Sequence, residues 1–178
     1  MGHEQAIYTQ FVVWLGQLVT FNLGDSLFLG QPVSGLVLNG AGVTAQLAVA
    51  ALLVAILIGP ALGAFSGTTR FRWVDKALVT GSALGIAMPT FWLAILMVYV
   101  FAVLLRFFPV AGFGSFTEDP VEYLRFLALP AISLGVLEAA TLYRYSRNGV
   151  LDALRQPFVT TARAQGLPRG LIVRRYIF

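Results

Sequence analysis

"VTAQLAVAALLVAILIGPALGAF", residues 43–65, carries no charged side chain, and the charge-free interval around it runs from Asp25 to Arg70. A helix rises 1.5 Å per residue, so roughly 20 apolar residues cross the hydrocarbon of a bilayer. This stretch is long enough. Composition agrees: 58% of the chain is hydrophobic and 11% is charged, against about 45–50% and 25% in a water-soluble domain. Moving outward, a second charge-free run covers Ala77–Leu105, with Trp92 and Tyr99 inside it. A shorter third run covers Phe126–Tyr143 and contains Glu138. The pattern predicts an all-α, polytopic membrane helical bundle forming one domain over residues 1–178, with transmembrane helices at about 43–65, 77–105 and 126–143.

Lysine and arginine counts orient such spans, because basic loops stay on the cytoplasmic side. Residues 1–42 contain neither residue type, whereas 66–76 contains Arg70, Arg72 and Lys76. The segment 106–125 sets Arg106 and Arg125 against Glu118, Asp119 and Glu122, and the tail from Arg144 onward has seven arginines and one acid, Asp152. Three crossings with the N-terminal segment outside and the C-terminal tail in the cytoplasm are expected. The formal net charge of +4 is then a matter of membrane orientation, and no nucleic-acid partner is expected. The first 30 residues lack the basic-then-apolar order of a secretory leader. An external N-terminal segment with no preceding span, and a tail closing on an apolar run to Phe178, predict a piece of a longer protein.

The sequence offers little covalent chemistry. With no cysteine, disulfides, thiolate metal sites and cysteine nucleophiles are excluded. His3 is the one histidine, and Lys76, the one lysine, follows Asp75 instead of a glycine-rich phosphate loop. Gly40 and Gly42 precede a membrane span and do not join a strand to a helix, so they make no dinucleotide turn. No H-E-x-x-H or G-x-S-x-G occurs. No catalytic residue, metal site or cofactor is expected.

The tail follows helix rules. Arg144, Asn148, Asp152 and Arg155 recur at three- and four-residue spacing, with Leu151, Leu154 and Phe158 on another side. The third span is therefore predicted to continue beyond the membrane as an amphipathic helix. Pro157 ends it, since proline removes a backbone donor and disfavours helix at the preceding residue. Proline also suits a first helical position, so a short helix is expected from about Phe158 to Gln165, stopping at Gly166 with Pro168 beyond. An isolated helix of about two turns is marginal in water, so something must hold it. Two supports suffice on physical grounds: lipid headgroups attracting the arginines, or a groove on a partner protein.

At this point the residues resemble a known family. "DALRQPFVTTARAQGLPRGLIVRRYIF", residues 152–178, resembles the cytoplasmic EAA loop of bacterial ABC-importer permeases, and is most similar to the dipeptide/oligopeptide branch with its Y-V-x-T-A-R-A-K-G-L pattern. Phe158, Val159, Thr161, Ala162, Arg163, Ala164, Gly166 and Leu167 fit that pattern. "NLGDSLFLGQPVSGL" resembles an extracytoplasmic G-x-S…P-V segment through Gly24, Ser26, Pro32 and Val33. "MPTFWLAIL" resembles an S-x-P-x-F-W-L feature, and "RYSRNGVLDAL" an R-x-x-R approach to the loop. Thr160 stands where the older loop consensus has glutamate, and Gln165 where this branch has lysine. The chain stops before the R-N-A-x-x-P that follows in the family, which has one further span before this region and two after it. The resemblance therefore implies a fragment of an ABC type I importer transmembrane domain, lacking the first and last transmembrane helices.

What the resemblance implies is a permease subunit in the bacterial plasma membrane, carrying peptides or similar small solutes. It would work with a second permease subunit, two cytoplasmic ABC ATPase subunits and an extracytoplasmic solute-binding protein, all set around the lipid bilayer. The loop at about 156–170 would be the ATPase-coupling loop, through Phe158, Thr161, Ala162, Arg163, Ala164, Gly166 and Leu167. Exposed Ala162 and Ala164 beside Phe158 would let the helix enter a groove closely, and Arg163 would pair with partner carboxylates. Pro89 and Glu138, a proline and an acid within spans, are candidates for the translocation path. A packing kink at Pro89, and an interfacial position or interhelical partner for Glu138, are the plainer alternatives. The Gly81/Gly85 spacing predicts close helix packing. A non-transporting membrane adaptor or a truncated, inactive remnant is the alternative function.

Overall fold

In a computed structural model, the structure describes residues 6–112 and 117–177; His3 and Phe178 fall outside this range. Among the described residues the secondary structure is helical, apart from a single antiparallel bridge between Asp25 and Pro32. The chain divides into two units, residues 1–46 and 47–178, and each is described by itself.

In the first unit, α1 spans Ile7–Val19, an apolar helix that the charge pattern did not announce. Phe11 and Trp14 stack on it with ring centroids 6.1 Å apart. The loop that follows is closed on itself. Val33 N donates to Gly24 O at 2.9 Å, Ser26 N donates to Gln31 O at 2.9 Å, and Gly24 adopts φ +71°. A left-handed φ favours glycine, which accounts for Gly24 in the Gly24-x-Ser26…Pro32-Val33 pattern. Helix α2, Val33–Thr68, begins here.

In the second unit the rest of α2 is joined by α3 (Arg72–Ala87), α4 (Thr90–Met97), α5 (Pro120–Leu154), α6 (Pro157–Ala164) and α7 (Arg169–Ile172). Helices α2 and α5, 36 and 35 residues long, are each long and apolar enough to cross a membrane. Helix α5 starts where Asp119 accepts hydrogen bonds from Val121 N and Glu122 N, both at 3.0 Å, with Pro120 at the first helical position. These are the two devices expected of a helix start. It absorbs both the run at 126–143 and the amphipathic extension in one continuous rod.

The run at 77–105 does not form a single straight helix. Helices α3 and α4 meet at a bend of 107°. Met88 (φ −80°, ψ 130°) and Pro89 (φ −61°, ψ 134°) are extended between them. The cause is local: proline lacks the N–H that would continue the ladder and pushes its predecessor out of the helical region. Helix α4 continues into a π-helical turn, Val98–Leu104, that buries Ala102.

Helices α2 and α5 lie backbone to backbone. A Cβ built on Gly59 would sit 2.6 Å from Ala139 O, one on Gly63 2.5 Å from Tyr143 O, and one on Gly67 2.8 Å from Val150 Cγ1. In return, a Cβ on Gly135 would sit 2.8 Å from Ala51 O. Ala51, Ala55, Ala131, Ala139 and Ala140 on these two helices are buried, Ala140 on the side that faces Gly85 of α3. Small residues four apart are what close helix approach in lipid requires. The Gly81/Gly85 pair does not serve this purpose. Nothing approaches within 4 Å of a Cβ on Gly81, and Gly85 makes only ordinary contact with Val136 at 3.4 Å. Gly81 instead lines an apolar cavity of about 270 Å³ between α2, α3 and α5.

The two sets of glycines should therefore respond oppositely. Gly63→Leu is expected to separate α2 from α5 and abolish a cooperative thermal transition of the full-length protein in detergent. Gly81→Ala should leave that transition within about 1 kcal/mol of the parent, allowing for the change in helix propensity. Equal tolerance of both substitutions would contradict the seam.

Candidate functional site: the polar cluster at the end of the helix seam and the short helix

The α2–α5 seam ends in a polar cluster that ties three helices together. Arg147 on α5 makes a bidentate pair with Asp75 on α3, Nε to Oδ1 and Nη2 to Oδ2, both at 2.7 Å. Ser66, at the end of α2, donates to Asp75 Oδ1 and accepts from Arg147 Nε at 3.2 Å. Tyr143 Oη lies 2.8 Å from Ser66 Oγ. With the serine proton directed at the carboxylate, Tyr143 is the donor to Ser66, which accounts for the one donor and two lone pairs of the hydroxyl. The Asp75 and Arg147 side chains retain 29% and 22% of their surface exposure, so the pair is sheltered without being sealed. Tyr143 and Arg147 are one helical turn apart and share a face of α5. Nearby, Ser146 Oγ donates to Pro60 O at 3.0 Å, another link from α5 to α2.

Only Arg155 and Gln156 separate α5 from α6. Pro157 occupies the first turn of α6, and Gln156 before it is extended (φ −66°, ψ 149°). Gly166 adopts φ +78°. Its N–H donates to Arg163 O at 3.0 Å, while Leu167 N donates to Ala162 O at 3.2 Å. These two bonds form a Schellman C-cap. The sequence rules located this helix to within a residue at each end. They did not foresee α7, whose Ile172 is buried against Val159 and Ala162 with Leu167 packed alongside. Arg169 Nη2 on α7 donates to Thr68 O, at the end of α2, at 3.2 Å. The chain itself therefore supplies the support that so short a helix needs.

This packing corrects one expectation. Ala162 does not face outward: it is 3% exposed, three residues after the fully buried Val159, and both lie on the face that α7 covers. Three-residue spacing puts two side chains on one face of a helix. Phe158 (43% exposed), Thr161, Arg163 and Ala164 are exposed on α6, as are Pro157 and Thr160. Leu167 is half-buried. Phe158 to Leu167 thus form one continuous element. Pro89 caps the start of α4, and Glu138 is exposed on α5 without an ion pair among the described residues. Among the described residues, no hydrogen bond or ion pair is seen between either of them and the α6 element.

Residues 59–178 match the family model for the binding-protein-dependent transport system inner membrane component. The chain belongs to this family. It is a multi-pass inner-membrane protein, all-α in its described part. It is similar to a putative peptide transport system permease protein of Brucella abortus, 35% identical over 178 residues covering 100% of this chain and 57% of the relative. It is similar also to a putative peptide permease protein of Brucella suis, 37% identical over 99% of this chain and 56% of the relative. The oligopeptide transport system permease protein AppB of Bacillus subtilis is 31% identical over 98% and 56%. The chain spans a little over half the length of these curated relatives. The family match begins at Gly59, the first glycine of the seam, and takes in the whole polar cluster and α6.

Asp75→Asn removes one ionic partner and leaves Arg147 with a neutral acceptor. Hydrogen bonds to charged groups contribute about 1.5–3 kcal/mol, so a loss in that range is expected in detergent melts. A double-mutant cycle with Arg147→Gln should return a coupling energy of about 1–3 kcal/mol. Additive losses would show that the pair does not hold α3 to α5.

Proposed function

We propose that this chain is part of the permease subunit of an ATP-driven importer, forming part of the path for peptides or similar small solutes across the plasma membrane. Residues 157–167 are, in this reading, the point where separate cytoplasmic ATPase subunits act on it. The observation that carries the proposal is the form of α6. It is a short helix packed by the chain's own α7 on one face and exposing Phe158, Thr161, Arg163 and Ala164. A helix-in-groove contact uses this arrangement, an apolar anchor beside small side chains on an exposed face. Arg163, exposed in the last turn of α6, is suited to pairing with carboxylates on the ATPase.

The other parts of the assembly follow from the family description and the relatives' names. A binding-protein-dependent system implies an extracytoplasmic solute-binding protein, and peptide permeases among the relatives point to peptides as cargo. A second permease subunit and two ATPase subunits complete the machine. The tail carrying α6 faces the cytoplasm and the N-terminal segment faces outward, in keeping with the arginines gathered at the α6 side. Hydrolysis belongs to the ATPases, and this chain transmits its work. Pro89 and Glu138 are assigned to the translocation path, supported by the 107° break that Pro89 begins and by the cost of an exposed acid on an apolar, membrane-length helix.

Phe158→Asp and Gly166→Pro are expected to reduce solute uptake by the full-length protein and its partners to background, while membrane insertion and abundance stay at parental levels. The aspartate places a charge in the groove, and proline cannot adopt the φ of +78° found at Gly166. Co-purification of the ATPase should fall in parallel. Normal uptake by either variant would remove the coupling role from α6.

A further inference from the structure

Three arginines from separate segments line one cavity of about 300 Å³ in the second unit. Arg70 lies in the turn between α2 and α3, Arg169 on α7, and Arg174 in the π-helical turn that follows α7. Thr68, Gly170 and Val173 complete the lining. Arg169 gives one N–H to Thr68 O at 3.2 Å, which leaves most of its five donors unspent. The ion pairs among the described residues are Arg147 with Asp75 and Arg155 with Asp152, so none of the three arginines around this cavity is neutralised by a carboxylate. Convergent like charges repel, and an anion held between them reverses the sign of that energy. Arginine forks match the tetrahedral oxygens of phosphate better than any other side chain.

The depth of the cavity identifies which phosphate. The apolar stretch of α2 ends at Phe65 and the next charged residue is Arg70, which sets Thr68 and Arg70 just beyond the hydrocarbon, at headgroup level. Phe71 and Trp73, next along the chain, are 64% and 72% exposed. Exposed aromatic residues beside basic ones at a helix end mark the membrane–water boundary. Basic pockets between membrane helices at this level recognise anionic lipid headgroups. We propose that the Arg70–Arg169–Arg174 cavity binds the phosphate of an anionic phospholipid. A lipid seated there would bridge the end of α2 to α7, the platform on which α6 rests, and would reinforce the single Arg169–Thr68 bond. The assignment is independent of the ATPase-coupling role, because it concerns a different face and a different ligand.

The test is native mass spectrometry of the detergent-purified, full-length protein offered equimolar phosphatidylglycerol and phosphatidylcholine. The parent should retain phosphatidylglycerol preferentially. An arginine at a membrane surface contributes about fivefold in affinity for anionic lipid, so Arg70→Gln with Arg174→Gln should reduce the preference about 25-fold. Arg70→Lys with Arg174→Lys, which keeps both charges, should retain much of it. Thermal transitions of all three proteins in the same detergent should coincide, showing that each is folded. Inorganic phosphate at millimolar concentration should not displace the lipid. Equal retention of both lipids by the parent, an undiminished preference in the glutamine variant, or displacement by free phosphate would each overturn the proposal. It would also fall if the glutamine variant kept its lipid preference but lost the ATPase, since the arginines would then serve a protein partner.

Discussion

The approach of α2 to α5 is the constraint on which the second unit depends. Lipid tails are as apolar as leucine, so two helices in a bilayer gain little by hiding apolar side chains from it, and close van der Waals packing must hold them together. Gly59, Gly63 and Gly67 remove the side chains that would keep the backbones apart, and carbonyls of Ala139 and Tyr143 occupy the space. The consequence reaches beyond dispersion. At this separation Tyr143 and Arg147, one turn apart on α5, both come within reach of Ser66 on α2. The polar cluster is therefore a product of the seam, not an independent attachment.

Asp75 draws α3 into the same cluster, and it does so from a favourable place. It lies in the first turn of α3, whose start has no side-chain cap, where a carboxylate meets the positive end of the helix dipole. The same carboxylate accepts both forks of Arg147 and the hydroxyl of Ser66. A sheltered ion pair contributes little net stability over an apolar pair of equal volume, because desolvation cancels much of its attraction. Its contribution is geometric. A bidentate fork fixes distance and plane together, so α3 leaves the α2–α5 pair in one register only.

How much of this was legible in the sequence varies with the range of the interaction. Local rules performed well at α6: Pro157 and Gly166 bracket it because one supplies a fixed φ and the other the left-handed φ that its C-cap needs. The apolar runs located α2 and α5 for the same local reason. The 77–105 run, read as one span with a kink as one option at Pro89, is two helices joined by an extended Met88–Pro89 step, and the residue-before-proline rule that ended α5 before Pro157 applies equally to Met88. Gly59, Gly63 and Gly67 were readable as a four-residue repeat, while the spacing at Gly81 and Gly85 drew attention to a face that has a cavity before it. Asp75 and Arg147 lie on helices that meet only through the fold, and no spacing rule connects them. The inward turn of Ala162 belongs to the same class, since it depends on Ile172 returning through α7.

These contacts decide where motion can occur in the proposed machine. A push on α6 reaches the membrane by two routes: through Arg155 and Gln156 into α5, and through α7 and the Arg169–Thr68 bond into α2. Because α2 and α5 share backbone contact along the glycine seam, both routes load the same pair, and that pair has no room to shear. The yielding part must be elsewhere. Packing against α3 leaves a cavity of about 270 Å³, Gly81 has open space before it, and the chain bends by 107° where α3 passes to α4. Switching needs an element with two available arrangements, since well-packed interiors do not deform continuously. In the proposed machine helices α3 and α4 are the candidates for it, with the Asp75–Arg147 fork holding one end and the extended Met88–Pro89 step at the other. In that proposal the glycine seam would carry the load, and the bent α3–α4 pair, packed on α5 but with the cavity before Gly81, is where a change of access would arise.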